Sequence, residues 1–152
     1  MRRPVLALVL TLSLGGCGWA GRHDERSKPD GFLLHGHVSA AGAATGASGT
    51  PCLAPASASD IVAGAPVRAA DAAGKIIAVT SLNGGVLAET PDGFHCNFGF
   101  ELSNLSGSRP TYQLIVADRP PRSFETKPLR EGKEAVLPVD GPASSTVSPS
   151  PS

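Results

Sequence analysis

His95-Cys96-Asn97-Phe98-Gly99-Phe100-Glu101-Leu102-Ser103 decides the fold class. In an extended chain successive side chains point to opposite faces. Cys96, Phe98, Phe100 and Leu102 therefore share one face, and His95, Asn97, Gly99, Glu101 and Ser103 share the other. Alternation of this length predicts a half-buried strand. Its two phenylalanines belong to the core rather than to a stacking platform, because they lie on the side of Cys96. Toward the C-terminus, Tyr112, Leu114 and Val116 alternate with Gln113, Ile115 and Ala117 in a second strand, and residues 104–110, with Gly107 and Pro110, read as the hairpin connection. Toward the N-terminus, residues 67–70 and 76–81 are predicted strands around the turn Asp71-Ala72-Ala73-Gly74. Residues 32–39 are expected to form an early strand and 135–139 the last. Asp118-Arg119-Pro120-Pro121 must end a strand, since proline cannot donate to a ladder. Residues 40–50, rich in Gly and Ala, read as an exposed loop, and helix periodicity is absent. Six or so short strands separated by turn signals predict an all-β chain, a single β-sandwich, with a small barrel as the competing architecture.

The N-terminus predicts where this domain works. Arg2 and Arg3 precede an apolar run over residues 5–14, and Leu14-Gly15-Gly16-Cys17 follows. A charged start, a short apolar stretch and small residues before a cut are the parts of a secretory signal. The run is too short for the ~20 apolar residues that span a bilayer. A cysteine directly after the small residues resembles a lipobox, which implies a diacylglyceryl thioether on Cys17, cleavage before it and acylation of the new amino terminus. Several acyl chains anchor a protein stably, where one binds only reversibly. Cys52 and Cys96 remain as a pair. In an exported chain, compartment and even count favour a disulfide between them, with two free thiols or a metal pair as alternatives; neither cysteine has CxxC or CxxH ligand spacing.

The expected organisation is a lipoprotein signal peptide over residues 1–16, the lipidated Cys17 and a polar tether over 17–31, the sandwich over 32–140, and a Ser/Thr/Pro-rich disordered tail over 141–152. The chain carries 13 basic and 13 acidic side chains. Loss of Arg2 and Arg3 with the signal leaves a slight acidic excess, which argues against a nucleic-acid partner. The expected partners are the lipid bilayer, through acylated Cys17, and an envelope protein or glycan.

The order Cys52, Asp60-Ile61-x-x-Gly64-x-x-Val67, Gly74-x-Ile76-Ile77-Ala78, Leu82, Cys96-x-Phe98-x-Phe100 and Tyr112-x-Leu114-x-Val116 resembles a family of small actinobacterial lipoproteins and exported proteins. The resemblance covers most of residues 32–139 and departs from the family before Asp60, where Ala54-Pro55-Ala56-Ser57-Ala58-Ser59 replaces a more glycine-rich stretch. It implies one Ig-like or transthyretin-like β domain held at the envelope, and it implies no activity.

No reaction motif stands out. His35-Gly36-His37 puts two imidazoles on one face of a strand, and His95 is a possible third metal ligand if its strand lies alongside. The same pattern describes a strand with a solvated face, which is the preferred reading, so no metal site or cofactor is expected. Gly46-Ala47-Ser48-Gly49-Thr50 lacks the second flanking glycine of a nucleophile elbow. Glu89 and Asp92 flank Pro91 in a turn, and Glu101 sits on a solvated face. Asp60 reads as an Asx-type acceptor for turn amides. Arg119, Arg122, Lys127, Arg130 and Lys133 alternate with Glu125, Glu131 and Glu134 in a mixed surface. The expectation is a non-catalytic binding or envelope-organising module, with a carrier of an apolar ligand or metal ion as the alternative.

Overall fold

The computed structural model describes residues 30–140. The expected signal peptide, Cys17, the expected tether as far as residue 29 and the expected tail lie outside the described residues. Among the described residues nine strands form two sheets: β1 Gly31–Ala41, β2 Pro51–Cys52, β3 Pro66–Ala70, β4 Ile76–Ser81, β5 Gly85–Thr90, β6 Gly93–Ser106, β7 Thr111–Val116, β8 Arg122–Glu125 and β9 Ala135–Val139. A 3-10 turn covers Ala56–Ala58, and a one-turn helix, α1, covers Thr126–Arg130. The larger sheet has the order β2-β5-β6-β1-β9 and the smaller β4-β3-β7-β8. The chain is an all-β sandwich.

The core lies where the alternation puts it. Cys96, Phe98, Phe100 and Leu102 of β6 and Leu34, Val38 and Ala40 of β1 pack against Val67 and Ala69 of β3 and Tyr112, Leu114 and Val116 of β7. Leu105 is also buried, although it is out of step with Leu102. A bulge explains it: β6 has one residue more than β1 between the pairs Leu34–Leu102 and Phe32–Leu105, and Asn104 takes up the kink at φ 59°. The extra residue resets the alternation, so both leucines face inward. Gly36 sits opposite Phe100, and a Cβ there would come within 2.4 Å of the Phe100 ring. The ring covers the glycine, so a side chain between His35 and His37 has no room.

Cys52 and Cys96 are joined by a disulfide. Both belong to the larger sheet, so the bridge ties strands within one sheet, unlike the inter-sheet bridge of antibody domains. It crosses β5 at Gly85, where a Cβ would lie 2.5 Å from Cys96 Sγ and 2.7 Å from the Cys52 carbonyl oxygen.

Four expectations need correction. Residues 104–110 are not a hairpin connection: 104–106 extend β6, and 107–110 lead out of its sheet. β6 already has β5 on one side and β1 on the other, so the chain crosses to the second sheet, where β7 pairs with β3 and β8. The Tyr112 hydroxyl, donating to the Ser106 carbonyl, pins that crossing, and burial raises the phenol pKa above its ordinary value. Ala40 and Ala41 belong to β1 rather than to a loop; residues 42–50 are stitched to the larger sheet by bonds such as Gly49 N–H to the Leu87 carbonyl (2.8 Å) and Leu87 N–H to the Thr50 carbonyl (2.8 Å). A helix does exist, too short to show a period, and its Leu129 closes one end of the core. The fourth correction concerns Asp60 and is given below.

Candidate functional site

The outer face of the larger sheet carries the histidines. On β1 this face holds Leu33, His35, His37 and Ser39; on β6 it holds His95, Asn97, Gly99 and Glu101. Antiparallel register places His35 opposite Glu101, His37 opposite Gly99, Ser39 opposite Asn97 and Ala41 opposite His95. The imidazoles do not converge. His37 and His95 are four register steps apart, about 13 Å along the strands. Each has its own carboxylate instead: His35 Nδ1 to Glu101 (3.1 Å), His37 Nδ1 to Glu134 (3.1 Å) and His95 Nε2 to Asp92 (3.2 Å). Among the described residues no group of three His, Cys, Asp or Glu side chains could hold a metal ion.

His95 makes a second bond, between Nδ1 and Ser39 Oγ at 2.8 Å. Thr90 Oγ1 donates to the other oxygen of Asp92 (2.7 Å), and that bond, aided by the backbone, holds the Asp92 carboxyl below the usual carboxylate range. The chain Ser39–His95–Asp92 has the composition of a hydrolase triad with the ring nitrogens exchanged, since in such triads serine meets Nε2 and the acid meets Nδ1. Its setting suits a structural pin better. Ser39 is 8% exposed and lies on β1 between β6 and β9, whose ladders engage the neighbouring amides that an oxyanion hole requires. One neutral tautomer satisfies every partner: Nε2–H donates to Asp92 and Nδ1 accepts from Ser39. The pin ties the β5–β6 turn to the middle of the sheet. No local sequence pattern reports it, because residues 39, 92 and 95 meet only through the β1–β6 register, with Ser39 and His95 as a diagonal cross-strand pair.

Asp60 corrects its expected turn role. Arg119 holds it in a two-pronged pair, Nε to Oδ2 and Nη2 to Oδ1, both 2.7 Å. These bonds lower the Asp60 carboxyl pKa, against a smaller opposing effect of burial. The pair joins the loop after the 3-10 turn to the Pro-rich turn after β7. Glu101, expected to be solvated, is exposed and partners His35.

At the opposite end of the sandwich, Gly107, Ser108, Arg109, Pro110, Thr126, Lys127, Arg130 and Glu131 line a surface cleft of about 630 Å³. The mixed basic stretch therefore divides. Lys127 and Arg130 line this cleft with Arg109, while Arg119 serves Asp60. No protein-family model, curated protein or solved structure matches the chain.

Proposed function

We propose that this chain is a lipid-anchored, extracytoplasmic binding module, non-catalytic, which organises the envelope by recognition through the outer face of its five-stranded sheet and its end loops. The observation that carries this reading is the pairing of Cys52 with Cys96. It uses two of three cysteines and leaves Cys17, directly behind Leu14-Gly15-Gly16, as the acyl acceptor. A disulfide is what an oxidising compartment maintains, so the pairing also supports export. A rigid sandwich displaying loops and a polar sheet face suits recognition. The separated histidines give no support to the metal-carrier alternative.

For such an anchor the topology supports one orientation. β1 and β9 run parallel, so the chain enters the sandwich at Gly31 and leaves at the other end beyond Val139. An anchor at Cys17 would turn the Gly31 end toward the bilayer and keep Asp30 within about 45 Å of it, the fully extended reach of the intervening residues. Residues 42–50 and the Pro91-Asp92 turn would face outward.

The test is the intact mass of the protein purified from its native membrane, before and after reduction and alkylation. The expected result is a diacyl or triacyl chain beginning at Cys17, with two thiols appearing only on reduction. A chain without lipid, or Cys52 and Cys96 alkylated before reduction, overturns the reading.

A further inference from the structure

The cleft between the β6–β7 crossing and α1 has an unusual lining. Three cations, Arg109, Lys127 and Arg130, border it with one carboxylate, Glu131. Two further acids reach the arginines without saturating them. Arg109 Nη1 lies 3.6 Å from Asp71 Oδ2, beyond hydrogen-bond range, and the other oxygen of Asp71 is occupied by the amides of Ala73 (3.0 Å) and Lys75 (2.9 Å) in its own turn. Arg130 Nη2 lies 3.9 Å from Asp30 Oδ1, its Nη1 donates a long bond to the Gly107 carbonyl (3.5 Å), and Asp30 Oδ2 accepts from Ser106 Oγ (3.1 Å). Both guanidinium forks thus keep donors for another acceptor.

The lining is also shaped. A Cβ on Gly107 would lie 2.7 Å from Cζ and Nε of Arg130 and 2.8 Å from Asp30 Oδ1. The missing side chain is what lets the Arg130 guanidinium lie against the crossing. Thr126, 2% exposed, borders the same cleft, and its Oγ1 is the one buried side-chain hydroxyl among the described residues without a hydrogen-bond partner.

We propose that this cleft binds a phosphate group carried on a small polar scaffold of glycerophosphate size. Two guanidinium forks and an ammonium match the charge and the several oxygens of a phosphate, where a single carboxylate would leave donors over. The cleft has more room than a bare anion needs, so an ester scaffold can enter with the phosphate. The phosphate has two sources, an anionic lipid headgroup or a soluble phosphate ester. The headgroup is the source committed to, because Asp30 and Gly107, joined by a 2.8 Å backbone hydrogen bond, mark the end at which the chain enters. That choice of source rests on the anchor reading; the cleft itself does not.

The test uses the isotope-labelled membrane-purified protein in non-ionic detergent, titrated with glycerol 3-phosphate against sodium chloride of matched ionic strength. The expected result is a saturable shift of the Gly107, Ser108 and Lys127 amide resonances that chloride does not reproduce. Arg109→Gln and Lys127→Gln should each weaken it by roughly tenfold, the loss of a charge-assisted contact. Gly107→Ala keeps every charge and crowds Arg130, so it should also weaken binding, whereas Arg122→Gln, outside the cleft, should not. Non-saturating shifts, shifts shared with chloride, or an equal loss in Arg122→Gln overturn the site. Nanodiscs then separate the sources. Movement of the same resonances when phosphatidylglycerol replaces phosphatidylcholine supports the headgroup. No movement there, with glycerol 3-phosphate still saturating, overturns the headgroup as source, whatever the mass measurement says of the anchor.

Discussion

Asp60 and Arg119 show what two partly buried charges do at the rim of a small core. Arg119 is 12% exposed and Asp60 35%, so the pair is neither a screened surface contact nor a fully desolvated one. Its two 2.7 Å bonds hold two loops that no ladder joins. Asp60→Asn should therefore destabilise the protein by about 1–2 kcal/mol at neutral pH, between the values for exposed pairs and for hydrogen bonds to charged groups. The pH dependence has a definite sign. The folded-state pKa of Asp60 is depressed, so its contribution is complete above the unfolded carboxylate pKa near 4 and is lost as pH falls through the lower folded value. Denaturant titrations of the two proteins should show a gap at pH 7 that closes below about pH 4. A gap that persists unchanged into acid would mean that the Asp60 charge is not what holds the loops.

At the scale of elements, legibility follows how much of a strand's environment its own residues encode. β6, β7 and β9 are readable because buried apolar side chains alternate with less buried ones, and the β3–β4 hairpin because Asp71 and Gly74 carry its turn chemistry. β5 and β8 were missed. Gly85-Val86-Leu87-Ala88-Glu89-Thr90 opens on a glycine demanded by the disulfide crossing it, which breaks the apolar face. β8 has four residues and none of them buried. The hairpin expected between β6 and β7 failed because nothing local to residues 104–110 reports that both edges of β6 are taken. The site was less legible than the fold, since the histidine–carboxylate pairs and the basic cleft exist only through register and crossing. β2 is the extreme case, two residues held by the disulfide and two pairings with β5. The bridge closes a separation of 44 residues, so the double variant Cys52→Ser, Cys96→Ser should lose about 4 kcal/mol on the loop-entropy relation. A loss below about 1 kcal/mol would mean that the pairings of β2 and β5 hold that loop without the bridge.

Across the whole molecule the first strand waits for the last. β1 pairs with β6 along its length and with β9 through Gly36–Ala135 to Ala40–Val139, a contact between residues about a hundred positions apart. Such pairings form late, because a long loop must close before they return any stability. β9 also supplies Ala135, Leu137 and Val139 to the core, and Pro138 faces out on its free edge, where a missing N–H costs nothing. A chain ending at Glu134 would lose these buried side chains, worth roughly 1.5–3 kcal/mol for each large one. It would also leave the amides of β1 exposed as an open edge, a template for intermolecular pairing. The truncated protein should therefore be unfolded or aggregated at 25 °C. Leu137→Ala, which keeps the strand and its ladder, should remain folded with a loss of about 2–4 kcal/mol. Circular dichroism and sedimentation of the two variants decide between a fold closed by its last strand and one merely decorated by it. A monomeric, cooperatively folded truncation would place the closing contact elsewhere in the sheet.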